Sequence, residues 1–132
     1  MSSENNLPAM AAFHLRAAAV YAVIGMAGGI YMGINQDFSL MPAHAHLNVL
    51  GWLSITVYGL VIARFPHVAQ SRLTLIQGFI AHLGVIIFVP GIAIAILTDH
   101  GVEQLVMIGS MLVLLGGVLF VPVVWLATSR RG

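Results

Sequence analysis

The chain has no cysteine, which removes disulfides, thiolate metal sites and cysteine-held iron–sulfur clusters from consideration. Charge is scarce too: 7% of residues are Asp, Glu, Lys or Arg, against 60% hydrophobic. That balance describes a chain dissolved in the lipid bilayer, not one folded around a water-soluble core. A net charge of +1 gives no electrostatic footprint for a nucleic acid, so no nucleic-acid partner is expected. The ~10-residue alternating segments of a membrane β-barrel are also missing. The soft or imidazole-type metal ligands that remain are six histidines and seven methionines.

What is present is a set of four apolar runs, about 11–32, 42–65, 73–97 and 102–127, each reaching the ~20 residues that cross a bilayer. The expected fold is all-α, an integral membrane four-helix bundle in a single domain over residues 1–132. Residues 1–10 read as a short polar tail. No Lys or Arg precedes Arg16, so the first run is expected to stay as a span and not be cleaved as a leader. Pro42 suits the first turn of the second helix, and Pro90-Gly91 is expected to kink the third. Gly25, Gly29 and Gly33 recur every fourth residue, a spacing that lets helix backbones approach in lipid. Gly51 with Gly59, and Gly109 with Gly116, repeat the pattern on the second and fourth helices.

With four spans, Arg16, Arg64, Arg72, Arg130 and Arg131 fall on one side, and Asp37, Asp99 and Glu103 on the other. The positive-inside rule then predicts an N-in/C-in topology. In a bacterial inner membrane this puts the start of the second helix on the periplasmic side.

That start, Met41-Pro-Ala-His-Ala-His-Leu-Asn-Val-Leu-Gly-Trp52, holds the densest polar cluster at membrane depth. Intramembrane polar residues are costly and usually mark a site. One cap satisfies a helix end, whereas His44, His46 and Asn48 continue inward past the first turn. They are the candidate cofactor-binding residues, with His44 and His46 the candidate metal ligands. His82, about 14 Å along the third helix, is either a hydrogen-bonded core histidine or a further ligand. His14 is expected to reach for headgroups at the interface, and His67 and His100 to be solvated. The spans are expected to hold no buried Asp, Glu or Lys, and His82 with Thr74 and Gln77 makes only a short polar string, so a proton channel is not expected.

A copper clip of His44, His46 and Met41 matches copper's ligand preferences. Residues two apart on a helix point about 200° apart, however, so convergence would require unwinding. Haem b needs one histidine per face and a slot of small and aliphatic groups, with Trp52, Tyr58, Phe79 and Phe88 available to wall it. His82 lies about 10 Å deeper than His46, which strains a pairing within one chain. A homo-oligomer with its axis along the membrane normal places His46 of two chains at one depth; the other solution is a five-coordinate iron that binds a small ligand.

The second helix resembles the second transmembrane helix of the large catalytic subunit of haem–copper oxidases and bacterial nitric oxide reductases. The likeness rests on His46-Leu-Asn48-Val-Leu50, followed by Gly59 and Arg64-Phe-Pro66, and covers roughly residues 12–66. It implies a low-spin haem ligand at His46, with His44 as the rival because Ala43-His44-Ala45 looks like the oxidase branch. Nothing matches the superfamily's three-histidine copper site, so no complete oxidase or reductase site is expected. The four-helix arcs of those subunits add a trimer to the dimer as a candidate assembly. The resulting expectation is a membrane haem b protein for electron transfer or diatomic gas binding, served by a respiratory-chain electron donor. The alternatives are a copper- or haem-handling accessory protein for oxidase assembly and a structural subunit without cofactor.

Overall fold

A computed structural model describes residues 7–98 and 102–129. Four helices account for nearly all of them: α1 (Ala9–Asn35), α2 (Met41–Arg64), α3 (Arg72–Thr98) and α4 (Glu103–Thr128). At ~1.5 Å per residue the longest extend about 40 Å, ample for a ~30 Å hydrocarbon core. Among the described residues there is no strand. The protein is all-α, and its four helices are long and apolar enough to cross a membrane.

Local chemistry sets the boundaries. Gln36 takes the left-handed conformation (φ 52°) and returns its N–H to the Met32 carbonyl, ending α1. Pro42 occupies the first turn of α2, where its missing N–H costs nothing. Pro66 forces Phe65 out of helical geometry (φ −124°), then opens a short 3₁₀ turn, Pro66–Val68. Ser71 caps α3: its Oγ accepts the Thr74 N–H at 3.1 Å. The helix runs through Pro90. Glu4, Asp99, His100, Arg130 and Arg131 lie outside the described residues. Of the remaining charges, Arg16, Arg64 and Arg72 lie towards one end, hereafter the arginine end, and Asp37 and Glu103 lie at the acidic end.

Backbone contact is mainly between consecutive helices, α1 on α2, α2 on α3 and, most extensively, α3 on α4, with a smaller contact of α2 on α4. The outer faces are apolar, with Ile34 77% and Trp125 73% exposed, the inverse of a water-soluble protein and the pattern that lipid contact requires. The core is thin and built from small side chains such as Ala11, Ala18, Ala22 and Ala81 around Ile55 and Ile62.

The closest helix approach is between α3 and α4. A Cβ added at Gly109 would lie 2.5 Å from Phe88 Cα, and one at Gly84 2.7 Å from the Val113 nitrogen. These are backbone contacts, the kind the sequence pattern leads one to expect for glycine in lipid. On α1 the outcome differs. Gly25 and Gly29 receive side chains of α2, and Gly33 meets nothing within 4 Å. Gly109→Val is therefore expected to cost about 1–3 kcal/mol of stability. Gly33→Ala should be neutral or stabilising by about 0.5–1 kcal/mol. Thermal unfolding in detergent, followed by circular dichroism, checks both.

Candidate functional site

The polar residues gather in two places, one at the acidic end and one deeper in the bundle. At the acidic end, α2 is not a uniform α-helix. Leu47–Ser54 forms a π-helical stretch, a rare conformation that favours functional sites. Ser54 Oγ donates to the Val49 carbonyl at 2.8 Å, five residues back. Gly51, at its centre, sits so close to Tyr21 that an added Cβ would lie 3.2 Å from the ring.

This geometry sends the two histidines to different neighbours. His44 lies over the α1 glycines, its Cε1 3.0 Å from where a Gly29 Cβ would stand. Asn48 lies on Gly25 and donates from Nδ2 to the His44 carbonyl at 2.8 Å. The same Nδ2 stands 3.4 Å from both ring nitrogens of His44, so it faces the ring without a directed bond. His46 turns instead towards α3, edge-on to Phe88 at 5.0 Å between centroids. Its Nδ1 donates to the Pro42 carbonyl at 2.7 Å, which fixes the tautomer and leaves Nε2 carrying the lone pair.

Two recesses accompany these rings. A cavity of about 470 Å³ lies between α1 and α2, with His44, Gly25, Tyr31 and Leu47 on its walls. Its volume falls in the ~300–1,000 Å³ range of small-molecule sites. A shallower one of about 310 Å³ opens beside His46, bounded by Ala45, Val49 and Leu50. Among the described residues no three His, Asp or Glu side chains converge as a metal cage, and His44 and His46 do not form a clip. Of the aromatics expected near a slot, Trp52 and Phe79 face outward at 48% and 68% exposure. Tyr58 packs on Phe120.

The deeper cluster contains the residue that sequence reasoning misplaced. His14 is not at the headgroups. It is fully buried, and its Nδ1 is 2.8 Å from Nε2 of His82. The Tyr21 hydroxyl lies 3.2 Å from Nδ1 of the same His82. Both nitrogens of His82 are thus engaged, far from His44 and His46: the α3 residue that meets His46 is Phe88, about 9 Å further along the helix. The signal for His14 was available. It lies on the same face of α1 as Ala11, Ala18, Ala22 and Gly25, all buried, whereas neighbouring Arg16 is exposed. His67 is exposed, as expected.

Comparison of the chain with known protein families, with curated proteins and with solved structures returned no match.

The Asn48 contact can be tested by a double-mutant cycle. Gly25→Ala would place a methyl 2.7 Å from Asn48 Oδ1, so the amide must swing away from the His44 carbonyl at a cost of about 1 kcal/mol. Adding Asn48→Ala should remove most of the extra penalty, read as coupling in thermal unfolding.

Proposed function

We propose that the chain is an integral membrane haem b protein that carries electrons, in which His46 would hold the iron. The observation that carries this reading is the His46 Nδ1–Pro42 carbonyl bond of 2.7 Å. Metal-bound imidazoles almost always donate their second ring nitrogen to a carbonyl or carboxylate, which orients the ring and raises its basicity. His46 has that support already in place. Its free Nε2 borders a recess of apolar groups (Ala45, Val49, Leu50), surroundings that suit a porphyrin edge. The likeness of α2 to the haem-bearing helix of haem–copper oxidase and nitric oxide reductase large subunits supports the same residue, and makes the chain a short relative of that superfamily.

Haem at this position would supply one-electron transfer. The chain's own residues define the rest. Pro42 holds the tautomer, and the Phe88 ring edge limits rotation of the imidazole. His82, with both nitrogens engaged by His14 and Tyr21, has no lone pair to offer as a second ligand. A second copy related by an axis along the membrane normal brings another His46 to equal depth and covers the partly exposed ring. The arginine distribution supports a bacterial inner-membrane location with both termini cytoplasmic and the His44/His46 end periplasmic, accessible to an electron donor on that side.

The test is the absorption spectrum of protein expressed with ample haem precursor. A Soret band that shifts on reduction, at about one haem per two chains, is expected. His46→Ala should lose most of it and His44→Ala retain it. No band, or a band lost only in His44→Ala, overturns the assignment.

A further inference from the structure

The deeper cluster does something the acidic end does not require. Three polar side chains on two helices form one connected string in the bundle interior: His14 to His82 at 2.8 Å, and His82 to Tyr21 at 3.2 Å. An imidazole–imidazole–phenol string can be bonded in either of two directions. In one, the Tyr21 hydroxyl donates to His82 Nδ1, His82 Nε2–H donates to His14 Nδ1, and His14 carries its proton on Nε2. In the other, His14 Nδ1–H donates to His82 Nε2, His82 Nδ1–H donates to the Tyr21 oxygen, and His14 Nε2 is a bare acceptor. The two differ by the movement of one proton from one end of the string to the other.

The His14 end of the string is unpartnered. His14 Nε2 is buried and, among the described residues, has no hydrogen-bond partner. Fully buried Gln77 is in the same condition at Oε1, while its Nε2 donates to the Gly116 carbonyl. Unpaired polar atoms inside a membrane protein are costly, and they persist where a proton or a water is exchanged. Gln77 belongs to a polar row on α3 that climbs from the arginine end: Ser71 Oγ to Thr74 Oγ1 at 2.8 Å, then Gln77, then His82. A recess of about 730 Å³ opens at that end, lined by Met10, Phe13, His67 and Gln70. Met10 is one turn from His14, and the Phe13 ring is 4.8 Å from that of His82.

On the other side, Tyr21 lies about 18 Å along α1, near the middle of the helix. One turn further, about 6 Å, is Gly25, on the wall of the 470 Å³ cavity that also holds His44. We infer that His14, His82 and Tyr21 form a proton relay joining the arginine-end recess to the acidic-end cavity. A proton enters at His14 Nε2, His14 Nδ1 passes one to His82 Nε2, His82 Nδ1 passes one to the Tyr21 oxygen, and the Tyr21 hydroxyl proton leaves. The rings return by reorienting. Tyr58 of α2 is the other titratable group facing the string, its ring 6.4 Å from that of His14. No Asp, Glu, Lys or Arg among the described residues faces it. The inference does not depend on haem.

Proton flux into vesicles tests it. The full-length protein, without added haem, is reconstituted in phosphatidylcholine vesicles containing a trapped pH dye. A potassium diffusion potential set with valinomycin drives the flux. Wild-type flux should exceed that of protein-free vesicles. Tyr21→Phe, which removes one hydroxyl, and His82→Asn, which cannot pass a proton, should each lower the excess roughly tenfold or more. Ser110→Ala, on α4 and away from the string and both recesses, should leave it unchanged. Wild-type flux at the protein-free level, or an excess that either string variant fails to lower to that extent, overturns the proposal. The N–N coupling between His14 and His82 in histidine-labelled wild type, read by nitrogen-15 NMR, needs no variant: its absence overturns the relay as well.

Discussion

A hydrogen bond between two imidazoles, His14 on α1 and His82 on α3, closes a groove that the backbones leave open. α1 leans on α2 and α4 on α3, while α1 and α3 make little backbone contact. The rings lie 5.0 Å apart and nearly parallel, with 11° between their planes. Water would weaken such a bond by competing for the nitrogens; the bilayer core offers no such competition, and separating the rings would strand two polar groups in hydrocarbon. The pair ties α1 to α3, while the placement of Gly25 and Gly29 opposite Asn48 and His44 belongs to the packing of α1 on α2.

The histidines sort by what their second nitrogen does. His82 has both nitrogens in hydrogen bonds. His14 has one occupied and one orphaned in the interior, a condition that suits proton exchange. His46 has one nitrogen committed to a carbonyl and one free near the surface, the arrangement of a ligand. His44 has no firmly directed ring bond and serves as a wall of the larger cavity. Identical side chains therefore occupy distinct chemical states, and the difference comes from the helix each one faces.

Much of this was legible in the amino-acid order. The apolar runs give four helices, and each boundary moves outward or inward by only a few residues where a cap decides it, as Gln36 does for α1 and Ser71 for α3. Hydropathy does not register such caps, because they are polar residues beyond the apolar stretch. The divergence of His44 and His46 follows from helical phase. His14 was lost because its sequence neighbour Arg16 suggested the interface, although the small residues at 11, 18, 22 and 25 define the inward face. Its partnership with His82, 68 positions away, depends on helix packing that no local pattern encodes. The π stretch was not legible either: Asn48, Gly51 and Ser54 are compatible with an ordinary helix, and the Tyr21 ring that stands against Gly51 comes from another helix.

That stretch has a consequence for how α2 tolerates change. A π turn holds one residue more than the α turn it replaces, so Leu47–Ser54 stores surplus length within a straight rod. Deleting a single position there would restore ordinary winding at no cost in hydrogen bonds and leave everything before it in nearly the same phase relative to Arg64. The glycines of α1 would then still face the His44 imidazole. The two ends of this helix keep their facing whether or not the spare residue is there, so α2 can gain or lose one position in this stretch without re-aiming His44 or His46.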